Sequence, residues 1–271
     1  MRSLIILLCF YALSGCQQQA AIKKDGGVVS ESTDDLKADC SAKKNGEACL
    51  ILGQRYASGN GVEQSFSRSL SLYLDGCKYG EPRACYGAGL FFQFGKSVDV
   101  DLNKTQHYFE QACKDVLRVA CHDLALLYLG AESKQIARGK TLLADNCEAD
   151  FAPSCVTMSK RLLQDPLSNR EKISEAQRLA SKACDAQSGE GCHILGLIEK
   201  SHTGEGAQEQ AASAFNTACA LGYPLSCFYL AEQYEKGLGV PADFNRARAL
   251  RISACERNNL SAQERRTYCH Q

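Results

Sequence analysis

The sequence predicts an all-α solenoid of about six helix pairs cross-linked by disulfides, and three observations carry that expectation. Cysteines recur at 40/49, 77/85, 113/121, 147/155, 184/192, 219/227 and 255/269, and successive pairs begin 34 to 37 residues apart. That period lies in the range of stacked helix-pair repeats. The text between the pairs repeats as well: Ala48-Cys49-Leu50-Ile51-Leu52-Gly53 leads to Tyr56 and then Gly59-Asn60-Gly61-Val62. Ser226-Cys227-Phe228-Tyr229-Leu230-Ala231 leads in the same way to Tyr234 and Gly237-Leu238-Gly239-Val240. Finally, the N-terminus reads as an export signal, which places the cysteines where disulfides form.

The elements follow in order. Arg2 precedes the apolar run Leu4 to Leu13, then Leu13-Ser14-Gly15-Cys16. A basic start, a short apolar stretch and small residues before a cut describe a secretory signal, and the run falls short of the roughly 20 residues that span a bilayer. The tetrapeptide resembles the bacterial lipobox, which implies removal of residues 1–15 and lipidation of Cys16. Several acyl chains on one cysteine give firm anchoring. In that family an aspartate after the lipid site marks inner-membrane retention; Gln17 stands there, so the outer membrane is the favoured destination over the inner. Residues 16–38 read as the lipidated cysteine and a polar, flexible tether, with a reach of roughly 25 Å. The repeat array is expected from 39 to 271.

Within each unit the order is helix A, glycine turn, helix B. Ala48, Leu52, Gly53 and Tyr56 share one face at helical spacing. In the last unit helix B is expected over Phe244 to Glu256. Gly53, Gly89 and Gly196 occupy one place in helix A, and because mid-helix glycine costs about 1 kcal/mol against alanine, the recurrence predicts close approach of helix B. Asp34 to Cys40 reads as a capping helix, and Ser261-Ala262-Gln263-Glu264 as a capping box that opens a last one.

Cys9 leaves with the signal and Cys16 carries lipid, which leaves fourteen of the sixteen cysteines. Residues eight apart in one helix stand about 12 Å apart along the axis, whereas a disulfide needs Cα atoms within roughly 7 Å. A chain reversal must therefore lie between them, and Gly80-Glu81-Pro82, Gly222-Tyr223-Pro224 and Pro153 supply it. The expected bonds are Cys40–Cys49, Cys77–Cys85, Cys113–Cys121, Cys147–Cys155, Cys184–Cys192, Cys219–Cys227 and Cys255–Cys269, each tying a helix B to the next helix A. Zinc is the rival reading, but structural zinc favours ligands two to four residues apart, a spacing these cysteines do not offer. Each short loop closed contributes roughly 2–3 kcal/mol on the chain-entropy account.

The layout A-x-x-x-L-G-x-x-Y-x-x-G-x-G-V-x-x-D-x-x-(K/R)-A resembles the Sel-one-like repeat (SLR), a relative of the tetratricopeptide repeat. Cysteines eight apart make it similar to the cysteine-rich Hcp type of SLR protein. The resemblance covers Cys40 to the C-terminus, with units one, two and six closest. Unit three has Leu129-Gly130-Ala131-Glu132-Ser133 and unit four Gln164-Asp165-Pro166 in place of the glycine turn. It implies a right-handed α/α solenoid that acts as a protein-interaction scaffold. It also implies an alternative, since some Hcp-type proteins are described as binding β-lactams and hydrolysing them weakly.

The residues support the enzyme reading poorly. A serine β-lactamase needs S-x-x-K with S-D-N and K-T-G elements, and Ser41-Ala42-Lys43-Lys44 matches only the first, by spelling. His122 and His193 sit at the same helix A position but two repeats apart, roughly 20 Å at ordinary helix spacing, too far to share a metal. No metal, cofactor or catalytic residue is expected, and zero formal charge gives no electrostatic case for nucleic acid. The third position of each unit holds Leu50, Tyr86, His122, Val156, His193 and Phe228; the seventh holds Gln54, Leu90, Leu126, Lys160, Leu197 and Glu232. On a helical wheel both lie off the Ala/Leu/Gly/Tyr face. The expected binding row is thus Tyr86, Leu90, His122, Leu126, His193 and Phe228 on a concave helix A surface, unless neighbouring helices bury that face. The expected partner is an envelope protein or peptide of unknown identity, with the membrane reached through the lipid.

Overall fold

The computed structural model describes residues 32–130, 133–167, 169–257 and 259–269. The signal peptide, Cys16 and most of the expected tether lie outside the described residues. Fourteen helices and no strand occur among the described residues. After α1 (Thr33–Ser41) come six A/B pairs: α2 (Gly46–Ser58) with α3 (Phe66–Lys78), α4 (Pro82–Phe94) with α5 (Leu102–Lys114), and α6 (Arg118–Leu129) with α7 (Ser133–Glu148). They continue as α8 (Ala152–Gln164) with α9 (Arg170–Asp185), α10 (Gly189–Ser201) with α11 (Ala207–Ala220), and α12 (Pro224–Lys236) with α13 (Phe244–Glu256). The short α14 (Ala262–Cys269) closes the array.

Each helix packs chiefly on its sequence neighbours, the pattern of a solenoid. Among A helices of adjacent units, α2 meets α4 and α8 meets α10, while no consecutive B helices make contact as extensive. At these two junctions the A helices approach one another more closely than the B helices do.

The first helix starts at Thr33, capped by the Ser32 hydroxyl, which accepts from the Asp35 amide. Helix thus replaces the last residues of the expected tether, because a serine cap and two first-turn aspartates favour an N-terminus there. Leu36 is wholly buried and joins Cys40 and Cys49 in one cluster. At the far end the capping box forms in both directions: the Ser261 amide donates to Glu264 Oε2 (2.7 Å) and the Glu264 amide to Ser261 Oγ (3.2 Å).

All seven disulfides form as the spacing requires, with Cα separations of 4.8, 4.4, 4.7, 4.8, 4.4, 4.9 and 5.7 Å in chain order. The five eight-residue links share one turn. The third residue after the first cysteine is left-handed in each: Gly80, Val116, Asp150, Gln187 and Gly222. Its amide donates to the cysteine carbonyl, and the next amide reaches back to the residue before the cysteine, as in Val116 to Cys113 and Leu117 to Ala112. Val116 is a β-branched residue at φ 61°, a conformation costing about 1–2 kcal/mol, and its side chain is exposed. Val116→Gly therefore raises stability by up to about 1 kcal/mol once the added freedom of the unfolded chain is subtracted; an unchanged or lower thermal midpoint contradicts this.

The recurring helix A glycines accept aromatic rings from helix B. A Cβ added at Gly53 lies 2.8 Å from the Tyr73 ring, one at Gly89 2.5 Å from Phe109, and one at Gly196 2.6 Å from Phe215. Where helix A carries Ala125 or Ser159 at that position, helix B carries Leu143 or Ala180 instead of an aromatic ring. Bulk on one helix is matched by its absence on the other.

Candidate functional site

The third helix A position does not form the open row expected of it. Phe228 is 3% exposed and stacks on Tyr268 of α14 at 4.8 Å. His193 is 7% exposed, with its Nδ1 2.8 Å from Ser226 Oγ and the Tyr223 ring 4.8 Å away. His122 repeats this bond two boundaries earlier, Nδ1 to Ser154 Oγ at 2.9 Å. The Tyr86 hydroxyl donates to Asp123 Oδ2 at 2.6 Å, and its ring packs on Phe109. Leu50 and Val156 are buried. The third residue therefore points along the solenoid axis toward the next repeat. A helix in a stack buries that side as well as the side facing its own partner, so the wheel's off-core position is an interface.

The Ser–His pairs hold adjacent units together. Ser154 and Ser226 are wholly buried, so neither hydroxyl can reach a substrate. Burial lowers the pKa of both histidines, His193 to about 4; there Glu190 opposes the shift and Lys160 adds to it. The neutral ring is the native form. Ser41, the serine of the S-x-x-K spelling, donates its hydroxyl to the Lys37 carbonyl at the end of α1, and Lys43 pairs with Asp39. No group of His, Cys, Asp and Glu suited to a metal exists among the described residues, and no described helix is long and apolar enough to cross a membrane.

The seventh position is the exposed one. Leu126 is 44% and Leu197 36% exposed, and Leu90 is half-buried beside Phe94, one turn on and 40% exposed. Leu163 adds apolar surface from α8, while Lys160 interrupts the row and pairs with Glu190. Of the six residues expected to bind, only Leu90 and Leu126 belong to this row.

A second feature lies where three helices meet. The B helices α9 and α11 part over α10 to leave an open cleft of about 820 Å³, floored by Leu195 and Glu199 and walled by Gln177, Lys182, Gln210 and Ser213 among others. Glu199 is 6% exposed; Gln177 Nε2 donates to its Oε1 at 2.7 Å, and His202 Nδ1 stands 3.6 Å from its Oε2. The cleft has a counterpart in the other units. Seven residues after the helix A cysteine stand Tyr56, Phe92, Tyr128, Leu162, Glu199 and Tyr234; nine before the helix B cysteine stand Arg68, Lys104, Arg138, Glu175, Gln210 and Arg246. Four units place the cation over the ring, at 5.6, 4.9, 5.2 and 4.7 Å. Units four and five lack both partners. Aligning the six units on their cysteines would have exposed this loss; reading each unit's core face alone does not.

The fold and its stapled surface define a class, the helix-pair repeat solenoid. A family profile described as the Sel1 repeat matches residues 46–76, 82–115 and 224–259, which are units one, two and six. Those three units are thus Sel1 repeats, set in a cysteine-rich helix-pair solenoid. The solved structure of a protective antigen present in uropathogenic Escherichia coli strains, displaying an SLR fold, superposes with a TM-score of 0.72 at 20% identity, over 85% of this chain and 50% of the other. A Sel1 repeat protein from Oxalobacter formigenes gives 0.70 at 23% identity, over 83% and 66%. Among curated proteins, the chain is 26% identical to cytochrome c oxidase assembly factor 7 of Danio rerio over 122 residues, 42% of this chain and 53% of that protein. It is 28% identical over 72 residues to the ERAD-associated E3 ubiquitin-protein ligase component HRD3B of Arabidopsis thaliana, 27% of this chain and 12% of that protein. The chain spans about half the length of the assembly factor it matches.

Proposed function

We propose that the protein is a lipid-anchored interaction scaffold of the bacterial cell envelope, which holds a segment of a partner protein along the exposed seventh-position row. The apolar surface of Leu90, Phe94, Leu126 and Leu197 on the A helices carries the reading, since exposed apolar patches on a repeat array are where such arrays bind. The names of the curated relatives, an assembly factor and a ligase-complex component, agree with work done through partners. Anchoring rests on Leu13-Ser14-Gly15-Cys16. No observation favours the β-lactam alternative.

The test is a photo-crosslinking residue at position 126 of the full-length chain in its native envelope. A discrete crosslinked partner is expected, lost when Leu90→Asp is added and lost from the membrane fraction with Cys16→Ser. Identical capture with Leu90→Asp rules out the row, and unchanged membrane retention with Cys16→Ser rules out the anchor.

A further inference from the structure

We propose that the cleft between α9 and α11 is a binding site for an organic cation, the ammonium or guanidinium of a lysine or arginine side chain on a protein partner. The inference is independent of the seventh-position row and concerns the opposite, B-helix side of the array.

In units one, two, three and six a helix B cation covers a helix A ring. In unit five the ring becomes the carboxylate of Glu199 and the cation becomes the neutral Gln210, and both line the open cleft. The floor thus gains negative charge at the place where the array's own cation is lost. Removing an aromatic side chain also provides the space. The wall cations do not neutralise the floor, because each already has its own acid: Arg178 pairs with Glu175 at 2.8 Å and Lys182 with Glu148 at 3.0 Å. Asp185 adds a second carboxylate among the lining residues, and the hydroxyls of Ser174, Ser181 and Ser213 offer acceptors for further N–H groups. Glu199 itself accepts from the neutral Gln177 at 2.7 Å and has His202 at 3.6 Å, and a carboxylate is a strong, charge-assisted acceptor for a cationic N–H. The alkyl stem of a lysine or arginine has Leu195 and Ala214 to lie against.

The experiment follows the Leu195 methyl signals by NMR while acetyl-Gly-Lys-Gly-amide is added to the oxidised protein, with the norleucine peptide as the neutral control. The lysine peptide is expected to shift Leu195 saturably and the norleucine peptide to leave it in place. Glu199→Gln weakens the lysine peptide by about tenfold or more. Gln210→Arg, at an exposed position where folding is not at risk, supplies an internal guanidinium and weakens it likewise. Equal binding of the norleucine peptide, full affinity in both variants, or no Leu195 shift with the lysine peptide overturns the proposal.

Discussion

Gly89→Ala destabilises the protein by about 2 kcal/mol, although the same exchange in an unconstrained helix interior stabilises by about 1 kcal/mol. The sign is reversed by one contact. Gly89 lies in α4, and a Cβ built there stands 2.5 Å from Phe109 Cδ1 and 2.6 Å from Cε1. Phe109 is wholly buried between Tyr86, Leu124 and Tyr128, so the ring cannot swing aside and α5 must move. Overpacking of this kind costs about 1–3 kcal/mol and exceeds the gain in helix propensity. The double variant Gly89→Ala, Phe109→Leu recovers much of the loss, because it recreates the Ala125 and Leu143 combination of unit three. Urea unfolding of the two single variants and the double, read as a mutant cycle, checks both claims. A rise in stability for Gly89→Ala alone contradicts the packing account.

The second large effect depends on pH. His193 is held neutral, with its pKa lowered from 6.5 to about 4 by burial. The unfolded chain binds that proton more readily than the folded chain does. The stabilisation is therefore fully present above pH 6.5, declines below it, and is lost as the pH falls through about 4. A shift of this size corresponds to about 3 kcal/mol. His122 shifts in the same direction, with burial lowering its pKa and Asp123 opposing. Thermal midpoints measured between pH 7 and 4 should fall steeply for the native chain and less steeply for His193→Gln, which keeps an acceptor toward Ser226. Because repeats need not unfold together, amide exchange at the α10–α12 boundary is the sharper readout. Equal pH dependence in both proteins contradicts the assignment.

Much of this architecture was legible in the sequence because local chemistry carries it. The cysteine spacing demanded a reversal, and the turn after Cys77 or Cys219 provides one. The glycine at position 89 needed a packing reason, and the Phe109 ring is that reason. Helix B of the last unit occupies Phe244–Glu256 as expected. The binding row was less legible. A helical wheel finds the face that meets helix B, but α10 and α12 also bury the side that meets the next element along the array, so His193 and Phe228 became interface residues. The seventh position stays open at Leu126 and Leu197, while Leu90 packs in part against the Phe109 cluster. The cleft was hidden for a different reason: Glu199 and Gln210 look ordinary until set against Tyr234 and Arg246, their counterparts in unit six.

Seven staples join neighbouring elements of the array, and their presence in the protein as it is made in the cell is directly measurable. Protein isolated from its native cells with thiols blocked at lysis is digested without reduction and its linked peptides are identified by mass spectrometry. The expected result is seven local links, Cys40–Cys49 through Cys255–Cys269, with none of these fourteen cysteines alkylated. Free thiols at these positions, or a bond joining cysteines of different pairs, would contradict it.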